Sequence, residues 1–295
     1  MDHRQLRFLV ALAQERHFGR AAQRAHVTQP TLSARLKQLE TELGTPLIRR
    51  GRRFEGFTPE GQRVLLHARR ILAEFDELHA ELDPAQGPSG WLSLGLVPSA
   101  LGDMATLLPE LRRRFPALRF RVREYTTVSL MQALADDEIA LALGYLDVPA
   151  AEPFVARPLF EEHYVLMAAA GLSFKTPPDW TTLAHHPLYM LTGDMQHHSL
   201  VRRRLEEEGM AVEAVVEAGS LALLAALLRT DQAIAVMPAR LVSALPLEGL
   251  VTWPLPALTH PARLGLLWKR AHRQSRRLQA VLDALADFND RRCLS

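Results

Sequence analysis

From Leu92 onward, short apolar runs and amphipathic stretches take turns along some two hundred residues, and that alternation limits the fold more than any other feature of the chain. Strand-like segments at 92–97, 118–122, 139–144, 163–168, 188–192, 212–217, 233–237 and 263–268 are separated by helical ones at 103–115, 128–137, 197–208 and 220–229, with a last helix at the end. Strands spaced by helices predict an α/β body of parallel sheets covered by helices. The run Pro84-Ala85-Gln86-Gly87-Pro88-Ser89-Gly90 precedes it and reads as a linker. The total of 295 residues has room for about two domains.

Ahead of the linker the period is helical throughout. Leu6, Leu9, Val10 and Ala13 mark a first helix, and Ala21, Ala22 and Ala25 a compact second. A third is predicted from Gln29 to Leu43, with Thr28 as its N-cap, Pro30 in its first turn and Gly44 ending it. Arg49, Arg50, Arg52 and Arg53 then surround Gly51 in what reads as a basic hairpin over 47–58. From Pro59 one long helix carries Val64, Ala68, Ile71, Phe75, Leu78 and Leu82 in steps of 4, 3, 4, 3 and 4. That narrow a/d seam predicts pairing with a second copy of the helix.

Charge divides the chain the same way. Residues 1–70 hold 14 Lys+Arg against 6 Asp+Glu, a net of +8, and the remainder nets −6. A polyanion partner is expected for the first part only. A short helix, a tight turn and a second helix opening on polar residues is the geometry that lays a recognition helix in the DNA major groove. Thr28, Gln29, Pro30, Thr31, Ser33 and Arg35 fall on its opening turns. Gln there can pair with adenine and Arg with guanine, while the hairpin arginines neutralise phosphates.

The segment Phe18-Gly19-Arg20-Ala21-Ala22-Gln23-Arg24-Ala25, then Thr28-Gln29-Pro30-Thr31-Leu32-Ser33, Pro46-Leu47-Ile48-Arg49-Arg50 and Thr58-Pro59-Glu60-Gly61 closely resembles the LysR-type transcriptional regulators. Ala34 stands where that family often carries Arg, and Arg35 follows it. The resemblance runs the length of the chain. It implies an all-α winged helix-turn-helix domain over 1–58, a dimerising linker helix over 59–83, a hinge at 84–90 and a two-lobed α/β domain over 91–295. The latter would be similar to periplasmic solute-binding proteins, with lobe I over about 91–162 and 267–295 and lobe II over about 163–266. It further implies a homodimer assembling to a homotetramer on double-stranded DNA, and a small-molecule effector between the lobes.

In open α/β sheets, ligands bind beyond the carboxyl ends of strands, beside helix N-termini. Those places hold Pro98-Ser99-Ala100, Thr126-Thr127, Gly144-Tyr145, Thr192-Gly193, Gly219-Ser220 and Met237-Pro238. Ser99, Ala100, Thr126, Thr127, Tyr145, Thr192, Gly193, His198 and Ser220 are therefore the effector candidates, and their hydroxyls and helix N-termini favour a small polar anion. Adjacent histidines (His185-His186, His197-His198) diverge and do not predict a metal site.

Other classes fare poorly. No phosphate-binding GxGxxG or GxxxxGK[ST] motif and no GxSxG elbow is present, so neither a cofactor nor an enzyme is expected. A single cysteine, Cys293, leaves no internal pair for redox sensing. The apolar run Phe8 to Ala13 is too short for an export signal, and no run reaches the ~18 apolar residues of a membrane helix, which predicts a cytoplasmic protein. The competing reading is a solute-binding module carrying a helical assembly domain, and the basic hairpin and the Gln29-to-Arg35 face argue against it.

Overall fold

The computed structural model describes residues 1–49, 54–82, 87–193, 196–270 and 275–292. It divides into two units, one over residues 1–90 with 136–138 and one over the remainder.

In the first unit, helix α1 (His3–Glu15) opens on a reciprocal cap, with Asp2 accepting from the Gln5 N–H at 2.8 Å and the Gln5 side chain accepting from the Asp2 N–H at 2.7 Å. Helix α2 (Phe18–Arg24) is capped by the His17 imidazole. Helix α3 (Gln29–Leu43) starts at Thr28, whose hydroxyl accepts from the Thr31 N–H, and stops at Gly44 in the left-handed conformation, φ +69°. Leu9, Leu12, Ala21, Ala22, Leu32, Leu36 and Leu39 close the core between these three helices. Glu40 is buried in it, and its carboxylate accepts the N–H groups of Leu47 (2.8 Å) and Ile48 (3.1 Å). Those bonds fix where the chain leaves α3 for the hairpin, whose strands meet at the antiparallel bridge Ile48↔Phe57.

Helix α4 (Pro59–Leu82) is capped by Thr58, which accepts from the Gly61 N–H at 2.9 Å. Its first turn presses on the hairpin so closely that a Cβ on Gly61 would collide with the Leu47 carbonyl oxygen. Gly61→Ala is expected to destabilise this unit by roughly 1–3 kcal/mol, because the obstacle is backbone and cannot rotate away. Thermal melting of the variant reads this, and an unchanged midpoint would show that α4 shifts freely.

The expected seam on α4 is used in two ways. Val64, Ala68 and Ile71 pack into the unit's own core together with Leu65 and Leu72. Phe75 and Leu78 remain 43% and 51% exposed. The side chain of Leu82 lies outside the described residues. A heptad pattern specifies a buried stripe without specifying what buries it, so half of this one serves α1 instead of a partner.

The second unit holds two five-stranded sheets. The first contains β1 (Gly90–Leu96), β2 (Leu118–Glu124), β3 (Leu141–Tyr145), β4 (Phe154–Glu161) and β10 (Arg263–Lys269), in the order β2-β1-β3-β10-β4. The second contains β5 (Tyr164–Ala169), β6 (Leu188–Leu191), β7 (Ala214–Ala218), β8 (Ile234–Pro238) and β9 (Leu250–Pro254), in the order β7-β6-β8-β5-β9. Helices α5 (Leu101–Arg114), α6 (Thr127–Ala135), α7 (Gln196–Glu207), α8 (Leu221–Leu228), α9 (Ala239–Val242) and α10 (Arg276–Arg292) complete it. One apolar core runs through both sheets, from Leu94 and Leu143 to Leu166 and Val236.

The sheets are mixed, not parallel. β1 and β3 pair parallel, as do β6 with β7 and β8, but β10 lies antiparallel between β3 and β4, and β5 antiparallel between β8 and β9. β10 returns to the first sheet from Arg263, so the lobe boundary expected at 266–267 falls inside a strand. β4 and β9 are strands the sequence pattern does not reveal. Both are half-buried edges carrying a proline, Pro158 and Pro254, where a missing N–H can face outward. The chain crosses between sheets at Glu162-His163 and again before β10, and the Glu162 N–H donates to the Ala262 carbonyl across the two crossings.

Candidate nucleic-acid interface and effector site

Thr28, Gln29, Pro30, Thr31 and Arg35 are exposed on the opening turns of α3, and Ser33 is half-buried. The Thr28 and Thr31 hydroxyls bond each other at 2.8 Å, and Arg35 donates to Gln38 at 3.3 Å, so these side chains hold one another rather than the core. Arg49 is exposed at the hairpin, while Arg50, Arg52 and Arg53 lie outside the described residues. Beside this face a groove of about 530 Å³ brings Arg4 and Arg7 of α1 and Arg24 of α2 next to Thr31 and Arg35. The first two are a basic contribution that the sequence reading did not assign. Their one-turn spacing, with Leu6 and Phe8 buried between and beyond them, was the available signal.

In the second unit Ser99, Thr126, Thr127 and Tyr145 do converge. With Val97, Pro98, Leu191, Gln196, His197, Pro238 and Leu241 they line a cavity between the two sheets enclosing about 10 Å³, roughly one water's worth of space. Each sheet supplies one wall: the ends of β1 and β3 and the start of α6 on one side, the ends of β6 and β8 and the start of α7 on the other.

The remaining candidates sit elsewhere. Ala100 is buried at the end of the short turn Pro98–Ala100. Thr192 donates its N–H to the Ala218 carbonyl beside the cavity, and Gly193 is exposed. Ser220 is the exposed N-cap of α8, accepting from the Leu223 N–H. His198 turns away to Glu217, with Nε2 3.4 Å from the carboxylate, and His197 faces the cavity in its place. One residue on a helix is a rotation of about 100°, and that step separates the two histidines.

The cavity's chemistry is set by Thr127 together with two groups outside the expected effector set, His197 and Glu162. Burial pushes the His197 imidazole down to about 4, with His198 adding to the effect, so it is neutral at physiological pH. Its Nε2 and the Thr127 hydroxyl are both buried with no hydrogen-bond partner among the described residues. Behind Tyr145 lies Glu162, 4% exposed. Burial raises its pKa, and the hydroxyls of Tyr164, Ser99 and Tyr145 pull it back. Among the described lining residues none is Lys or Arg. The polar anion expected from the strand ends therefore meets no cationic side chain and a buried acid close by. The described residues contain no cluster of His, Cys, Asp and Glu able to hold a metal, and no helix long and apolar enough to cross a membrane.

Comparison with known proteins agrees with this division. Residues 3–62 match the bacterial regulatory helix-turn-helix family of lysR type, and residues 85–290 match the LysR substrate binding domain. The hydrogen peroxide-inducible genes activator of Pectobacterium carotovorum subsp. carotovorum is 39% identical over 166 residues, 55% of this chain and 54% of that protein. The chain thus spans about half the length of such curated relatives. Full-length OxyR from Pseudomonas aeruginosa superposes with a TM-score of 0.70 at 26% identity, covering 97% of each chain. CbnR complexed with its target DNA gives 0.70 at 20% identity over 96% of this chain and 98% of that one, which shows a common fold. A helix-turn-helix unit and a two-sheet domain, each matched by its own half of one family, mean that the chain belongs to the LysR family of bacterial regulators.

Proposed function

We propose that the protein is a cytoplasmic transcriptional regulator that binds double-stranded DNA through α3 and the basic hairpin, and that a small molecule held between the two sheets modulates this binding. It acts as a homodimer assembling to a homotetramer, with Phe75 and Leu78 on the dimer seam. The observation that carries the reading is α3 itself. Its opening turns expose Gln29, Thr31 and Arg35 from a capped, packed unit, and Thr31 and Arg35 lie next to Arg4, Arg7 and Arg24. Regulation, not catalysis, is what the named relatives do. The effector would be held by Ser99 and Thr127 from one sheet and His197 from the other. Because the cavity as it stands admits about one water, anything larger binds only as the two sheets part, so its binding bears on how they close.

Binding of the purified chain to the DNA upstream of its own coding sequence, measured across salt concentrations, tests the first half. Gln29→Ala is expected to relax sequence preference, with a loss of about 1–3 kcal/mol confined to one base position. Arg49→Ala is expected to weaken binding to every sequence alike and to flatten the salt slope by about one. Equal loss of preference from both variants would show that α3 is not the reading element.

A further inference from the structure

Ser99 reaches the cavity as the outer end of a buried hydrogen-bond relay. Its Oγ lies 2.8 Å from the Tyr145 hydroxyl, which lies 3.0 Å from each oxygen of the Glu162 carboxyl group. The Tyr164 hydroxyl donates to one of those oxygens at 2.6 Å. All four residues are buried, and Glu162 sits where the chain crosses from one sheet to the other.

With Glu162 ionised, a state that burial opposes and the hydroxyls of Tyr164, Ser99 and Tyr145 favour, proton counting sets the direction of this relay. A carboxylate accepts and has no proton to give, so a hydroxyl placed evenly between its two oxygens is donating to them. Tyr145 has a single hydroxyl proton, and that proton is committed to Glu162. Its oxygen can then only accept, so Ser99 donates to it. Ser99 also has a single proton, and with that proton turned inward it offers the cavity lone pairs alone. A carboxylate placed against Ser99 would face acceptor with acceptor, and would stand near the charge of Glu162.

We propose, on the reading of this cavity as the effector site, that it selects a small uncharged molecule bearing a hydroxyl or amide N–H donor for Ser99, and discriminates against carboxylates. The other walls agree. Thr127 Oγ1 and the neutral His197 Nε2 lack partners among the described residues, and each can give or accept according to its rotor or tautomer. Val97, Leu191 and Leu241 supply apolar contact. The first turns of α6 and α7 also border the cavity and carry partial positive charge, but the unit charge on Glu162 offsets roughly half a charge from each helix. The relay then decides.

The test compares isosteric probes on the full-length chain at pH 7.5: acetamide against acetate, and propionamide against propionate, titrated by ligand-observed NMR and by melting temperature. The amide of each pair is expected to bind at least about tenfold more tightly, and Ser99→Ala to remove most of that preference. Glu162→Gln lets an amide N–H donate into the relay and frees the Ser99 proton, so the preference should narrow or reverse. Should either variant fail to fold, carbon-13 NMR of glutamate-labelled wild type still decides: a buried glutamate carboxyl protonated at pH 7.5 overturns the proposal. Carboxylates binding as tightly as amides in a Ser99-dependent manner would overturn it and leave the cavity as the effector site. Probe binding that ignores Ser99, or no binding of either class, would remove both.

Discussion

Phe75→Asp combined with Leu78→Asp is expected to lower operator affinity by roughly a hundredfold or more while leaving the helix-turn-helix unit folded. Both side chains keep about half of their surface exposed, whereas Val64, Ala68 and Ile71, on the same stripe, are spent on the unit's own core. Charge at 75 and 78 therefore opposes pairing of α4 with a second copy without removing a contact on which the monomer's core depends. A helix-turn-helix reads a half-site, and joining two of them makes the second contact intramolecular, a gain of about 10²–10⁴ in affinity. That gain is what the variant should lose. Sedimentation would report the loss of the dimer, DNA titration the loss of affinity, and circular dichroism the intact helices. A variant still dimeric through α4 would show that the seam lies elsewhere. Ile71→Asp is a poorer probe, since it would damage the core and the seam together.

What the sequence exposes, and what it hides, follows from how far apart the deciding residues lie. The bounds of α3 are legible because Thr28, Pro30 and Gly44 act within one turn of the helix they begin or end. Ser99, Thr126 and Tyr145 are legible for a related reason: a strand end followed by a helix start is a local event, and topology brings such ends together. Glu162 is not legible. It falls in Phe160-Glu161-Glu162-His163, which reads as a solvated turn, and its burial exists only because two sheets close over the crossing. The strand before it, β4, is masked by Pro158 at an edge. The mixed sheets escape for the same cause, since β10 finds its neighbours β3 and β4 across more than a hundred residues and no local period records that pairing. The proposed preference for an uncharged ligand departs from the anion expectation at this point. Helix N-termini can be read locally, but the buried acid that counters them cannot.

Acidification from pH 7.5 to 5 is expected to cost the two-sheet unit about 2 kcal/mol through His197 alone. In the unfolded chain this imidazole takes up a proton near its ordinary value of 6.5; in the fold, burial and the neighbouring His198 hold it to about 4. Above pH 6.5 it is neutral in both states and contributes nothing to the pH dependence. Between 6.5 and 4 the unfolded chain binds a proton that the folded one refuses, so stability falls as pH falls, by up to about 3 kcal/mol. All four tryptophans (Trp91, Trp180, Trp253 and Trp268) belong to this unit, so urea unfolding followed by tryptophan fluorescence reports it without interference from the DNA-binding unit. Asp147, Asp179 and Asp231 also resist protonation in the fold and add their own acid sensitivity, but wild type and variant share it. His197→Gln, compared with wild type at both pH values, isolates the histidine: the wild type should lose about 2 kcal/mol more than the variant. Equal losses would mean that the imidazole keeps its ordinary proton affinity in the fold, and that below about pH 6.5 the cavity presents an imidazolium in place of the neutral ring on which its preference for uncharged ligands partly rests.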